Sequence, residues 1–330
     1  MIDFRYHLVS IIAVFLALAV GLLVGSTALS GPSLDVLQRA QAEVNARNEA
    51  LSKANDQLKN QISADQAFAQ AGSQRLLGGL LPGDNVVLVI APNEDSSVVT
   101  GVTAALGQAG AKVTGQIQLT QQFMQTTGPV EASLTQLAQS LAPQAGVSLP
   151  GQTSNEAVAG QQDAAMVIAA SLLTSDGSAL ATSATHAILN GFAQNGFLSV
   201  GPSGVTTPAT ATMAVLVTPG GAPPQTGNSS QVLVAVAAEL QAAGQGTVMA
   251  GPVSAIGTGS AVQLENNAGN VSTVDNADTE SGQIMVVQAL RSLLSGKSPG
   301  SYGIGPQSAP SPAPTPAPSP SVSTSPGSTG

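Results

Sequence analysis

Two groups of acidic and amide side chains lie where the sequence predicts that strands end. Asp275-Asn276-Ala277-Asp278 follows a predicted strand at 271–274, and Asn93-Glu94-Asp95 follows another at 85–91. Open α/β sheets bind ligands at the carboxyl ends of their strands, and carboxylate oxygens suit hard divalent cations. Candidate ligands for such a cation are therefore Asp275, Asp278, Glu94 and Asp95. The alternative is structural, with Asp278 capping the next helix and Asp275 shaping the turn.

The chain carries no signature of a catalytic or cofactor-binding site. It has neither a Gly-x-x-x-x-Gly-Lys-Ser/Thr phosphate loop nor a Gly-x-Ser-x-Gly nucleophile turn. Gly257-Thr258-Gly259 lacks the third glycine of a dinucleotide-binding turn, so a loop is predicted there. His186 lies within a predicted helix, which favours a half-buried structural histidine over a catalytic one. We expect a protein that is not an enzyme and has no cofactor.

Ligands for a soft metal such as copper are scattered rather than clustered. Cysteine is absent, which excludes thiolate metal sites and disulfides. The methionines after the first residue fall mostly in apolar segments, where they are predicted to build the core: Met124, Met166, Met213, Met249 and Met285. The sequence therefore predicts no dedicated copper site.

Charge and aromatic content exclude nucleic acid as a partner. Charged residues make up 8% of the chain, its formal net charge is −9, and Lys and Arg are absent from 113–290. Nucleic-acid binding needs a basic surface, and base stacking needs aromatic side chains, which are only 2% of this chain.

The candidate residues belong to a predicted α/β domain at 81–297. The apolar run at 85–91 is typical of a strand that is buried on both faces. Further strands are predicted at 112–119, 213–218, 247–250 and 271–274, with helical segments between them. This alternation favours a mostly parallel sheet covered on both faces, as one unit or two lobes.

An uncharged apolar run at 8–29 is long enough to cross a bilayer as a helix, which takes about 20 residues. Arg5 precedes it and no basic residue follows before Arg39, so residues 1–7 are predicted to be cytoplasmic and the remainder external. Such a helix favours the cytoplasmic membrane over an outer membrane. The alternative is a cleaved signal peptide with its cleavage site near Ser26-Thr27-Ala28.

Residues 33–72 fit four heptads of a coiled coil. The d positions are Leu37, Val44, Leu51 and Leu58, and the a positions include Asn48 and Asn55. Buried Asn at a lowers stability but fixes register and favours a parallel pair of helices, so we expect a homodimer. The alternative is a long amphipathic helix that packs on its own domain.

At the other end of the chain, residues 298–330 are rich in Pro and Ser and are predicted to be a disordered tail.

Three segments together resemble the actinobacterial MctB family, whose members are called copper transporters or copper-transport outer membrane proteins. They are FRYHLVSIIAVFLALAVGLLVGS, the Asn-bearing heptads and VSTVDNADTESGQ, and the resemblance extends from residue 4 to about 297. It implies a role in copper homeostasis with copper export at the cell envelope, but no particular copper ligands. Related envelope proteins with the same anchor and coiled coil are linked to cell-wall hydrolysis and division. A coiled-coil scaffold or regulator with envelope partners is therefore the alternative function.

Overall fold

The computed structural model describes residues 4–29, 32–94, 96–150, 156–200, 210–221 and 228–312. Asp95, residues 1–3 of the predicted cytoplasmic segment and the predicted tail from 313 onward lie outside these ranges. The chain divides into two units, Met1–Asp65 and Gln66–Gly330, which are described separately.

The first helix, α1 (Phe4–Leu29), contains the predicted membrane span. Its residues Tyr6–Ser26 are long and apolar enough to cross a membrane. The large apolar side chains along this stretch are exposed, as Leu16 and Leu23 illustrate. An apolar surface of this length in contact with water is unfavourable, and a lipid environment removes that cost.

The second helix, α2 (Pro32–Leu77), contains the predicted heptads. No Gly or Pro interrupts the helix between residues 33 and 71, and an ion pair between Arg47 and Glu43, 2.5 Å long, adds i,i+4 support. The apolar side chains at the d positions are each more than half exposed: Leu37, Val44, Leu51 and Leu58. The helix continues past the predicted end at residue 72, and Leu77 is buried in the α/β domain.

Seven strands form one sheet in the described part of the chain. They are β1 (Asn85–Ile90), β2 (Lys112–Leu119), β3 (Leu198–Val200), β4 (Met213–Val217), β5 (Gly246–Ala250), β6 (Ser272–Val274) and β7 (Ser301–Tyr302). Their order across the sheet is β3-β2-β1-β4-β5-β6-β7. Among these seven described strands, β3 alone is antiparallel to its neighbour, β2. Because the strands form a single sheet, the α/β domain is one unit and not two lobes.

Helices cover both faces of the sheet. They are α3 (Ser96–Gln108), α4 (Gly128–Ala145), α5 (Ala159–Leu172), α6 (Thr182–Gln194), α7 (Ser229–Ala243), α8 (Ala261–Ala268) and α9 (Glu280–Leu294). On one face, Val86 and Leu88 of β1 pack with α3 and α9. On the other face, Val87 and Val89 pack with α4 to α8. Burial on both faces explains why β1 is a continuous apolar run without alternation.

The sheet extends beyond the predicted end of the α/β domain at residue 297. Strand β7 pairs with β6, and Ala309 forms a bridge with Tyr302, so the ordered fold includes part of the segment that is predicted as a tail. This corrects the predicted boundary. The Pro and Ser content that indicates disorder is concentrated after residue 309, while 301–308 contains a single proline. The short strands β3 and β7 and the helix α8 are absent from the sequence prediction.

Candidate functional site

Asp275 secures the C-terminal segment against the sheet. It follows β6 and is 2% exposed. One carboxylate oxygen, Oδ1, accepts a hydrogen bond from the backbone N–H of Ile304 at 2.8 Å. The other, Oδ2, accepts from the N–H of Gly305 at 3.1 Å and from the Ser308 hydroxyl. A side chain at position 303 or 305 would overlap this carboxylate, which explains the two glycines there.

Asp278 secures a different loop. Its Oδ1 accepts a hydrogen bond from the backbone N–H of Val253 at 2.9 Å, in the 3-10 turn that follows β5. The carbonyl of Ser254 in that turn accepts from the N–H of Gly221 at 2.8 Å, in the loop between β4 and α7. Asp278 does not cap α9, because the side chain of Thr279 accepts from the N–H of Gly282 instead.

The sheet order separates the two acidic groups. Glu94 follows β1, where its Oε2 accepts a hydrogen bond from Gln118 of β2 at 3.3 Å. Strands β4 and β5 lie between β1 and β6, so the strand ends are about 14 Å apart at the usual spacing. Within the described ranges, no group of three or more His, Asp or Glu side chains could hold a metal ion. A cation site at these carboxylates remains a prediction.

The soft-metal candidates are placed as the sequence predicts. Met166 on α5 is half-buried. The other four methionines are buried in the two cores: Met124, Met213, Met249 and Met285. His186 is half-buried on α6. Gly257-Thr258-Gly259 forms a loop that ends at Ser260, whose hydroxyl caps α8. These methionines stabilise the fold by packing.

A cleft opens where the strand order reverses. Strand β1 is followed by α3, which packs on one face of the sheet, whereas its neighbour β4 is followed by α7 on the other face. Connections that diverge in this way leave a crevice at the carboxyl ends of the strands. Here the crevice is a cavity of about 200 Å³. Its apolar wall includes Met124 and Leu233, both of them nearly buried.

Four uncharged polar side chains line this cleft: Asn93, Gln121, Ser229 and Ser230. Asn93 has a φ of 61° and is the one non-glycine with positive φ among the residues described. Backbone conformations of this kind cost free energy and concentrate at functional sites. Of the four residues, the sequence pattern indicates only Asn93, which follows a predicted strand. Gln121, Ser229 and Ser230 lie near Asn93 only because of the order of the strands in the sheet.

A buried acid lies on α5, in the helical layer that covers one face of the sheet. Asp163 on α5 is 8% exposed, and its Oδ1 has no hydrogen-bond partner in the described part of the chain. Burial raises the pKa of Asp163, and the nearby carboxylate of Glu239 on α7 raises this pKa further. Glu239 in turn accepts a hydrogen bond from Gln162 at 2.8 Å.

We expect Asp163→Asn to stabilise the protein at pH 7. Because folding raises the pKa of Asp163, its favourable contribution is complete below the unfolded-state pKa and is lost as pH rises through the folded-state pKa. The gain in unfolding free energy at pH 7 should be about 1 kcal/mol and should vanish below about pH 3.5. Urea unfolding across this pH range measures it.

The matched control is Asp176→Asn. Hydrogen bonds from Ser178 and Thr174 lower the pKa of this exposed carboxyl, so the same substitution should weaken the protein at neutral pH. A gain for Asp176→Asn, or a gain for Asp163→Asn that persists at low pH, would contradict the assignment.

Comparison with known proteins assigns the chain to a family. Residues 1–313 match the family described as copper transport outer membrane protein, MctB. A protein of Mycobacterium tuberculosis named copper transporter MctB is 30% identical over 312 residues, which is 92% of this chain and 97% of that relative. The Mycobacterium leprae protein of the same name is 31% identical over 313 residues, with the same coverage of both chains. The chain belongs to the MctB family of copper transport proteins.

Proposed function

We propose that this protein is a membrane-anchored envelope protein that takes part in copper homeostasis. The observation that carries the proposal is the family match over residues 1–313, together with relatives that are named copper transporters. The match includes the apolar helix, the long helix and the α/β domain, so it concerns the whole arrangement and not a single module. Copper is the cargo in this proposal and is not a resident cofactor.

The proposed location is the cytoplasmic membrane, with the α/β domain on its outer side. Helix α1 has the length and composition of a membrane span. Arg5 lies before this span and the next basic residue is Arg39, so the bias of positive charge toward the cytoplasm favours an internal N-terminus.

The proposed assembly is a parallel homodimer through α2. Its d-position side chains are more than half exposed, and an exposed apolar stripe of this length favours a partner helix. A second copy carries the same stripe, and Asn48 and Asn55 at a positions would pair across it. Ala17, Gly21 and Gly25 lie four residues apart along a groove on α1, a spacing that allows two membrane helices to approach closely.

We expect the protein itself to bind copper weakly. The described residues contain no cluster of metal-ligating side chains, and four of the five methionines after Met1 are packed in the cores. Calorimetry on the detergent-solubilised full chain with Cu(I), Cu(II), Ca²⁺ and Mg²⁺ tests this expectation. Tight stoichiometric copper binding that is lost in His186→Ala would contradict it. Calcium or magnesium binding that is lost in Asp275→Asn would instead support a cation site there.

A deletion strain tests the function. We expect copper-sensitive growth that is restored by this chain and is not restored by a version that lacks residues 33–72. The second candidate is a scaffold or regulator of cell-wall hydrolysis, which the exposed heptads of α2 favour because they offer a surface to helical partners. A division or wall-shedding defect without copper sensitivity would support this second candidate and contradict the first.

A further inference from the structure

We propose that the cleft between the carboxyl ends of β1 and β4 binds a small, uncharged ligand through a secondary amide group. This inference goes beyond the copper role and does not depend on it. The cleft is a cavity of about 200 Å³, which is smaller than the usual range for drug-sized ligands and suits a molecule of about ten heavy atoms.

The polar lining is available to a ligand. The side chains of Asn93, Gln121, Ser229 and Ser230 make no hydrogen bond within the part of the chain that the structure describes. Ser230 is only 8% exposed and lines the cavity, so a ligand in the cavity would lie beside a nearly buried serine. Buried hydroxyl groups are usually satisfied, and a ligand that pairs with Ser230 would satisfy this one.

The helix that begins at the cleft supplies further donors. Asn228 precedes α7 but its side chain does not cap the helix. Ser229 and Ser230 form the first turn of α7, where backbone N–H groups have no acceptor within the helix. The carbonyl oxygen of an amide is a suitable acceptor for these donors and for the two hydroxyls.

Charge excludes an anionic ligand. No charged side chain is among the described residues that line the cleft. The chain has a net charge of −9 and no Lys or Arg in 113–290, so an anion would enter a repulsive field without a cation to receive it.

The remaining contacts select an amide with a small apolar substituent. The side-chain amides of Asn93 and Gln121 each offer both a donor and an acceptor, which matches the N–H and C=O of a secondary amide. Met124 and Leu233 provide the apolar wall for a methyl-sized group. A short peptide and an N-acetylated sugar both carry this chemistry.

One residue that lines the cleft, Gly221, is held in place by contacts within the protein. Its N–H donates to the carbonyl of Ser254. The turn that contains Ser254 is secured in turn by Asp278. This part of the lining is therefore preformed, which reduces the entropy that is lost on binding.

The test uses the full chain in detergent and N-acetyl-alaninamide as the probe, with ligand-observed NMR as the measurement. We expect saturable binding with a Kd of about 1 mM, as is usual for so small a ligand. Gln121→Leu and Ser230→Ala should each weaken binding at least about fivefold. Gln108→Leu is the matched control, because Gln108 is exposed at the last turn of α3, away from the cleft. A thermal melt checks that each variant is folded. Gln121→Glu is a second variant at this position, which retains the size and the polar character of the side chain and should also weaken binding.

Three further probes define the chemistry. N-acetyl-alanine, which carries a carboxylate, should bind more weakly than the neutral amide, and equal binding would overturn the exclusion of anions. Binding of N-acetylglucosamine but not of glucose would identify the sugar source, whereas binding of the alaninamide alone would identify a peptide source. Equal binding of glucose and N-acetylglucosamine, no saturable binding of any probe, or binding unaffected by the Gln121 and Ser230 variants would overturn the proposal.

Discussion

Gly282→Ala is expected to destabilise the protein by about 3 kcal/mol or more, which lowers the Tm by roughly 6–12 °C for a domain of this size. Gly282 lies in the first turn of α9, beneath the segment that carries Asp275 and Asp278. A Cβ at this position would overlap the carbonyl group of Asn276 and lie 2.8 Å from the backbone nitrogen of Ala277. These atoms belong to the backbone and cannot move aside as a flexible side chain can. Thermal unfolding of the full chain in detergent measures the effect.

Gly107→Ala is the matched control for this prediction. Gly107 is also helical, in α3, but nothing lies within 4 Å of the position that a Cβ would take. Alanine has a higher helix propensity than glycine, so this variant should gain up to about 1 kcal/mol. Equal and small effects of the two substitutions would show that the backbone around Asn276 adjusts easily, contrary to the structure.

Leu51→Asp combined with Leu58→Asp is expected to abolish the proposed dimerisation through α2. Both residues occupy d positions, and each is more than half exposed. Placing two carboxylates in a paired apolar seam would bury like charges opposite each other and raise the Kd of the dimer by at least about 1,000-fold. Sedimentation of the 33–72 fragment and of the full chain in detergent measures the association.

The matched control is Ala46→Asp combined with Asn60→Asp, which adds the same charge at two outward-facing f positions of the heptads. This variant should remain dimeric. Asn48→Ile with Asn55→Ile should instead increase the stability of the coil and broaden its oligomeric state. A wild-type 33–72 fragment that stays monomeric at high concentration would refute pairing through α2 itself, although α1 would still be available for association.

The principal strands were predictable because their burial leaves a pattern in the local sequence. A run such as residues 85–90 is apolar at every position only when both faces of the strand are covered. Strands β3 and β7 contain three and two residues, so their pairing depends on tertiary partners and leaves no pattern in the sequence. For β7 these partners include Asp275, which fixes the segment that follows the strand.

The candidate site was predictable only in part. Position after a strand correctly placed Asn93 at the edge of the sheet where the cleft opens. The same argument singled out Asp275 and Asp278, but both carboxylates accept hydrogen bonds from distant backbone N–H groups. Gln121 lies in the connection that follows β2, and Ser230 lies in α7, which follows β4. These two connections are neighbours only because of the order of the strands in the sheet. Sequence spacing does not encode that order.

The hydrogen-bond partners of Asp275 affect the order in which the parts of the α/β domain fold. Ile304, Gly305 and Ser308 come after β6 and α9 in the chain, so a domain that folds from its N-terminal end as it crosses the membrane at first contains an acidic side chain that lacks its donors. An unpaired carboxylate in so buried a position opposes closure of the sheet. We therefore expect the sheet of a domain that folds from its N-terminal end to close last at β7. A nascent chain that stops before residue 308 carries most of the sheet but lacks the contacts that seal its edge.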